Sequence, residues 1–368
     1  MPRDDRVNVI VTGANSGVGF GICQRLISQL VSTSPSDIED DKLSQLHSQA
    51  KQRGIRIILA CRSKQRAENA ISSLTTYLHS LRNQSQIDIC LQYENCDLST
   101  VQSCKAFAET IKRGHSRIAS IICNAGGGTF TGIDWIGATL QILSHPIDGV
   151  TYPNYKLQSH GSTSADHLGW VFQMNVFGHF VIVQELIPLL EAESIVQPTS
   201  ILWMSSLEAA KCGYDKDADF DLVKNKRSYE ASKYLTEGIA IALDESLHKQ
   251  GKNVRSIIVH PGVVWSSIFY EHLGAILDLL MAVAFYLARW IGSPHHPISA
   301  FLGALSTTYA LFNLERVHRD ATQRYGTCCD RFGNAYIVKQ QPVIEEEKDM
   351  MAYARDVLAK CDELYRRF

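Results

Sequence analysis

The chain has 368 residues, of which 45% are hydrophobic and 20% charged, and a formal net charge of -2. This is ordinary globular composition, too neutral for a general nucleic-acid binder, and a single α/β domain with insertions can reach this length. The first residues lack the basic start and long apolar core of a secretory signal peptide. The ten cysteines show no CxxC pair or His/Cys metal spacing, so they read as reduced thiols with no metal site.

Val7–Thr12 (VNVIVT) reads as a short strand running into a glycine-rich turn, with a helical pattern from about Val18 to Leu30. Arg56–Cys61, Ile87–Asn95, Ile118–Cys123, Ser200–Met204 and Val254–His260 read as further apolar strands. Continuous apolar strands separated by helices predict a parallel sheet covered on both faces. Three stretches read as insertions: the polar Ser32–Arg53, the Gly/Ser/His-rich Gly127–Gly169, and the Lys/Asp-rich Leu207–Arg227. Leu273–Trp290 is strongly apolar, Ile298–Leu311 reads as a core helix, and Glu345–Arg366 as an amphipathic C-terminal helix.

The chemistry-bearing motifs sit where strands end. Gly13, Asn15, Ser16, Gly17, Val18 and Gly19 follow the first strand and open a helix. There glycines let backbone approach a pyrophosphate, and the helix N-terminus offers N–H donors. The second strand ends at Arg62, where an acid would favour NAD and an arginine accommodates a 2′-phosphate. Lys64 and Arg66 also read as solvated charges at a helix start. Asp97-Leu98 and Asn124-Ala125-Gly126 follow the third and fourth strands, although Asp97 could equally cap the helix beginning near Ser99. Ser206 follows the fifth strand. Tyr229 and Lys233 stand four apart, on one helix face. Such a set suits ketone reduction: a tyrosine donates a proton to the carbonyl oxygen, a nearby ammonium eases its ionisation, and a serine steadies the developing charge.

The order TGxxxGxG, Asp-Leu, Asn-Ala-Gly, Asn, Ser, YxxxK and Pro-Gly resembles the short-chain dehydrogenase/reductase family over nearly the whole chain. That resemblance implies a Rossmann-type doubly wound sheet in a single domain, with a cofactor half over about 1–126 and a catalytic and substrate half over about 170–340. It adds Asn175 to the catalytic group of Ser206, Tyr229 and Lys233, as holder of a water in a proton relay. It also assigns Tyr229, Lys233, Pro261, Gly262, Val263 and Ser266 to the cofactor, with Pro261-Gly262-Val263 as the turn beneath the nicotinamide. Tyr229 stands 23 residues after Ser206, a longer spacing than simple members show. Ser206 rather than Ser205 is assigned because the family's serine is usually the second of such a pair.

The insertions are similar to those of fungal 3-keto-steroid reductases. This implies NADPH as donor, a 3-keto sterol (a 4-methylsterol-3-one of the zymosterone type) as substrate, and a place in the C4-demethylation of ergosterol biosynthesis. It further implies location at the endoplasmic reticulum membrane and lipid droplets, beside the other demethylation enzymes. Reduction of another bulky apolar carbonyl, such as a 17-keto-steroid or retinal, and a non-catalytic nucleotide-binding scaffold remain as alternatives.

The apolar lid, about 267–295, admits three readings. The favoured one is a buried helix over the substrate, followed by a lid resting in a membrane interface. A spanning helix ranks last, because Asp278 at its centre costs roughly 2.5–3.5 kcal/mol in hydrocarbon.

Overall fold

In the computed structural model, residues 5–39, 44–81, 86–265, 270–317 and 322–368 are described, with side chains of the 270–290 helix from residue 277 onward. Aliphatic and β-branched runs make the strands of the main sheet. They are β1 (Val7–Thr12), β2 (Ile55–Cys61), β3 (Ile89–Asn95), β4 (Ser120–Cys123), β7 (Thr199–Met204), β8 (Val254–His260), β9 (Arg324–Cys329) and β10 (Ala335–Gln340). Between β4 and β7 lies a separate two-stranded pair, β5 (Phe130–Ile133) and β6 (Lys156–Gln158).

The main sheet has eight strands in the order β10-β9-β8-β7-β4-β1-β2-β3. All neighbours are parallel except β10, which runs antiparallel to β9. The order reverses between β1 and β4, so the carboxyl ends of these strands border a crevice, the usual ligand position in such sheets.

The helices, in chain order, are α1 (Gly17–Val31), α2 (Gln45–Arg53), α3 (Lys64–Ser80), α4 (Val101–Gly114), α5 (Trp135–Ser144), α6 (Pro146–Thr151), α7 (Trp170–Phe172), α8 (Gly178–Ser194), α9 (Ser228–Lys249), α10 (Tyr270–Trp290), α11 (Ala300–Gly303), α12 (Leu305–Phe312), α13 (Leu314–Val317) and α14 (Met350–Arg367). On one face of the sheet, α4, α8, α9 and α14 bury a cluster that includes Phe107, Phe180, Trp203, Leu235 and Val357. On the other, α1, α2, α3 and α12 bury Ile22, Leu26, Leu46, Leu74 and Phe312. Both faces being covered is why β1, β2, β7 and β8 are buried along their length.

Several elements depart from the sequence reading. The β9–β10 hairpin carries no apolar run to announce it, yet β9 is wholly buried because Arg324 pairs with the buried Glu237 at 3.0 Å. The polar stretch after α1 is tied into the body. Asp37 takes two hydrogen bonds of 2.7 Å from Arg25 and folds against Thr308 on α12. The stretch read as one helix over Ile298–Leu311 is broken: Ile298 has φ +68°, and α11 ends at Gly303. A Cβ on Gly303 would lie 2.5 Å from Val264 Cγ2, so the segment turns where it meets the Pro261–Val264 loop. The C-terminal helix begins at Met350 rather than Glu345, because Asp349 accepts from Ala352 N and caps it.

α10 corrects the reading of a buried lid. Its inner face carries Ala282, Ala288 and Asp278, the last only 8% exposed and accepting from Trp265 Nε1 at 3.1 Å. Its outer face is apolar and open, with Leu279, Leu280, Val283, Leu287 and Trp290 all exposed. The helix packs on α6 and β5, and the neighbouring α5 also exposes Trp135, Ile136, Leu140 and Leu143. Among the described residues no helix is long and apolar enough to cross a membrane.

Candidate active site

The crevice is closed at its base by one threonine. Thr12 Oγ1 accepts from Asn124 N and Ala125 N, both at 2.9 Å, and Asn124 Nδ2 donates to Thr12 O at 2.8 Å. These bonds tie the end of β1 to the end of β4. His179 Nε2 stands 2.9 Å from the same hydroxyl, and burial lowers its pKa to about 3, so the ring is neutral.

The turn after β1 is shaped for close approach. Gly13 and Gly17 have φ +66° and +53°, and a Cβ on Gly19 would lie 2.4 Å from Gly13 O and 2.6 Å from Asn124 Nδ2. At the α1 N-terminus Ser16 makes no side-chain cap, and Asn15 and Ser16 reach the surface. The first N–H groups of α1 are therefore left to an external acceptor, as a bound phosphate requires. Val18 is half-buried beside them. Arg62 stands exposed at the tip of β2 and makes no ion pair among the described residues. Ser63 caps α3, and Lys64 pairs loosely with Glu68 at 3.8 Å, the arrangement of ordinary helix-start charges.

Other assigned cofactor residues are held more locally. Asp97 Oδ1 accepts from Ser99 N at 3.0 Å in a local turn, but Thr100 and not Asp97 caps α4, and the half-buried carboxylate keeps its other oxygen. Leu98 lies in the core, and its carbonyl accepts from Gln173 Nε2 at 3.0 Å. Pro261, Gly262 and Val263 follow β8. Gly262 has φ +72°, while Val263 N donates to His295 O and Val263 O accepts from Ile298 N. With its backbone engaged, Val263 offers only its side chain to the crevice. Ser266 lies outside the described residues.

The catalytic group converges around Lys233. Asn175 sits in a π-helical turn, Gln173–Phe177, a distortion common at functional sites. Its Oδ1 accepts from Gly127 N, and its Nδ2 donates to Gly127 O and Ser232 Oγ, all at 2.9 Å. The side chain thus clamps the loop after β4 to α9, which commits both amide protons and leaves none for a water. A Cβ on Gly126 would lie 2.8 Å from Asn175 Oδ1 and 3.7 Å from Lys233 Nζ. Lys233 donates to Met204 O at 2.8 Å, and its Nζ lies 5.9 Å from the centre of the Tyr229 ring. Ser205 turns into the core and donates to Glu237 at 2.6 Å. Ser206 instead stands half-exposed beside Tyr229 and acts on the phenol as a hydrogen-bond donor.

The electrostatics run against the expectation that Lys233 lowers the Tyr229 pKa. Burial raises it, the Glu208 carboxylate raises it further, and Ser206 opposes them. The Lys233 ammonium is spent on the Met204 carbonyl, and burial lowers its own pKa to about 8.

Sequence reasoning missed the cover over this group. The β5–β6 hairpin brings Phe130 to 5.6 Å of the Tyr229 ring, Gln158 Oε1 to 3.1 Å of Tyr229 N, and Lys156 Nζ to 6.0 Å of the ring centre. No spacing signal marks these residues, because they lie within an insertion. Thr12 could have been found, since it directly precedes the glycine turn.

No family model matches the chain. It is 30% identical over 347 residues to a 3-keto-steroid reductase of Eremothecium gossypii, covering 94% of this chain and 92% of that one. It is 29% identical to a 3-keto-steroid reductase of Saccharomyces cerevisiae, covering 98% and 96%. Among solved structures it superposes on an NADP complex of RhlG from Pseudomonas aeruginosa with a TM-score of 0.53, at 16% identity over 86% of this chain and 94% of that chain. The L-sorbose reductase of Gluconobacter frateurii gives a TM-score of 0.51 at 14% identity, over 84% and 90%. These structures share the fold.

The buried lysine makes a testable demand. An unfolded lysine keeps its proton to about 10.5, whereas the folded one loses it near 8. Between those values the unfolded chain binds more protons, so stability rises with pH. Chemical denaturation at pH 8 and pH 10 should show the unmodified protein gaining about 2 kcal/mol more than Lys233→Met. Equal gains in both proteins would contradict the burial of a costly ammonium.

Proposed function

The chain belongs to the 3-keto-steroid reductase family, and on that premise we propose that it reduces a 3-keto sterol to the 3β-hydroxy sterol with NADPH. The substrate proposed is a 4-methylsterol-3-one of the zymosterone type, in the C4-demethylation of ergosterol biosynthesis. The observation that carries the reading is the convergence of Ser206, Tyr229 and Lys233 at the carboxyl edge of the sheet, above a glycine turn that fits a dinucleotide.

The residues fit such a cofactor. Gly13 and Gly19 have no room for a side chain, the α1 N-terminus has free donors, and Arg62 is available to a 2′-phosphate. A reduced nicotinamide bound there supplies a hydride to the carbonyl carbon. The protein supplies the rest. Ser206 holds the carbonyl oxygen, Tyr229 donates its phenolic proton to that oxygen as charge develops, and Lys233, bonded to Met204 O, fixes the face of α9 that carries Tyr229. Asn175 keeps the Gly127 loop and α9 in register, so these groups do not drift apart.

The proposed site of action is the cytosolic face of the endoplasmic reticulum membrane and lipid droplets, beside the other C4-demethylation enzymes. The open apolar faces of α10 and α5 support peripheral attachment, and burial of Asp278 removes the charge that would oppose it.

With a 4-methylsterol-3-one, NADPH oxidation should be far faster than NADH oxidation. Arg62→Ala should reduce that preference by about one to two powers of ten, the worth of one charge-assisted phosphate contact. Equal use of both cofactors by the unmodified protein would overturn the assignment. For attachment, Leu280 and Leu287 are the informative positions, being 57% and 50% exposed, whereas Phe285 leans on His296 at 5.5 Å. Leu280→Asp with Leu287→Asp should lower liposome flotation and sterol reduction together, leaving reduction of a small soluble ketone nearly unchanged. A doubly charged variant that floats like the unmodified protein would exclude a membrane role for this face.

A further inference from the structure

The inserted hairpin carries a second cation to the catalytic tyrosine. Lys156, on β6, is 7% exposed at its side chain and forms an ion pair with Glu208, which is 21% exposed and stands two residues after Ser206. Lys156 Nζ lies 5.2 Å from the Phe130 ring centre and 6.0 Å from that of Tyr229. Glu208 N donates to Ser206 Oγ at 3.1 Å, so the acid of the pair also rides on the serine's own loop. An ion pair this sheltered is weakly screened, and whichever partner is left alone acts strongly on its neighbours.

The other charged and titratable groups around Tyr229 are already engaged. On α9, Lys233 donates to Met204 O, and Glu230 receives Arg227 at 2.9 Å and Gln158 Nε2 at 2.6 Å. Tyr155, beside Glu208, donates to Gly149 O at 2.9 Å, and the Cys212 thiol in the Leu207–Arg227 insertion is pushed up by burial. Lys156 and Glu208 are thus the pair of opposite charges, brought by two different insertions, whose balance falls directly on the tyrosine.

We propose that Lys156 is a positioning residue for the reaction, an ammonium that offsets Glu208 and thereby sets the electrostatic field at the Tyr229 hydroxyl. The inference rests on the reading of Tyr229 as the proton donor of a carbonyl reduction. With the pair intact, Lys156 offsets part of the Glu208 carboxylate, which still raises the phenol's pKa. Without Lys156, an uncompensated anion faces Tyr229 and makes it a weaker acid. Without Glu208, the Lys156 cation, no longer offset by that carboxylate, makes it a stronger one. The pair also fastens the hairpin over the site, and Lys156→Met and Glu208→Gln both weaken that fastening. Only the electrostatic role separates them.

The test compares the unmodified full chain, Lys156→Met, Glu208→Gln and the double variant, each with NADPH and a 4-methylsterol-3-one across pH. Reduction needs the protonated phenol, so the rate falls as pH rises through the Tyr229 titration, which a fluorinated tyrosine at position 229 in all four proteins brings down into the accessible range. Glu208→Gln should move that fall to lower pH by about one pH unit, Lys156→Met should move it up by a similar amount, and the double variant should return close to the starting position. The same order is read without turnover from the ζ-carbon signal of ¹³C-labelled Tyr229, assigned by its loss in Tyr229→Phe. If the unmodified protein reduces no sterol ketone, the functional reading fails, and the tyrosine titration still decides the role of Lys156. Shifts of both single variants in the same direction, or a change in rate with no change in pH position, would overturn the proposal.

Discussion

The side-chain amide of Asn175 joins three parts of the chain that sequence keeps far apart. Its oxygen takes the N–H of Gly127, just beyond β4, and its two protons go to the Gly127 carbonyl and the Ser232 hydroxyl. The residue is buried, so each of these bonds replaces one that water would otherwise make, and none can be lost cheaply. The π-helical turn over Gln173–Phe177 is what aims the side chain at both partners. Once Ser232 is fixed, the face of α9 bearing Tyr229 and Lys233 is fixed, and Lys233 can reach the Met204 carbonyl at the end of β7. The proton donor, its ammonium and the edge of the sheet are therefore one assembly, and its geometry survives only while that amide is satisfied.

Around this assembly the insertions do chemical and physical work that the bare fold lacks. The β5–β6 hairpin seals Tyr229 under Phe130 and supplies Gln158 to the first turn of α9. Burial raises the tyrosine's pKa and lowers that of Lys233, so the pair is set far from its solution behaviour before any ligand enters. The Leu207–Arg227 insertion lengthens the path from Ser206 to Tyr229. It is pinned to α14 by Lys360 on Asp217 at 2.7 Å and Lys216 on Asp356 at 2.5 Å, so the extra residues do not loosen the serine. α10 then places an apolar surface beside the hairpin, with its one central carboxylate turned inward onto Trp265.

The sheet was legible because its strands bury both faces and so read as unbroken apolar runs; Val7–Thr12 and Val254–His260 need no context. β9 was not, because its burial depends on Arg324 meeting Glu237 and on Thr327 bonding Gly303 O, contacts that no local pattern announces. The glycine turn and Ser206 were legible because each follows a strand end, and Tyr229 and Lys233 because their spacing puts them on one helix face. Lys156 and Glu208 were not, since they meet only when two insertions fold together. The direction of the Tyr229 pKa was misjudged for a related reason: spacing shows that Lys233 shares the helix face, and it cannot show that burial dominates or that Met204 holds the ammonium. Asp278 read as a central charge that opposes a membrane span, and no local pattern shows that Trp265 donates to it.

All of this converges on one phenolic proton, and removing it is the most direct test. Tyr229→Phe should bind NADPH with nearly unchanged affinity, measured by titration of the bound nucleotide, while single-turnover reduction of a 4-methylsterol-3-one becomes undetectable or falls by at least about a hundredfold, the usual worth of a positioned acid. Near-normal reduction by Tyr229→Phe would contradict the account, because the hydroxyl would then be a bystander and the buried frame that holds it would have no chemical purpose.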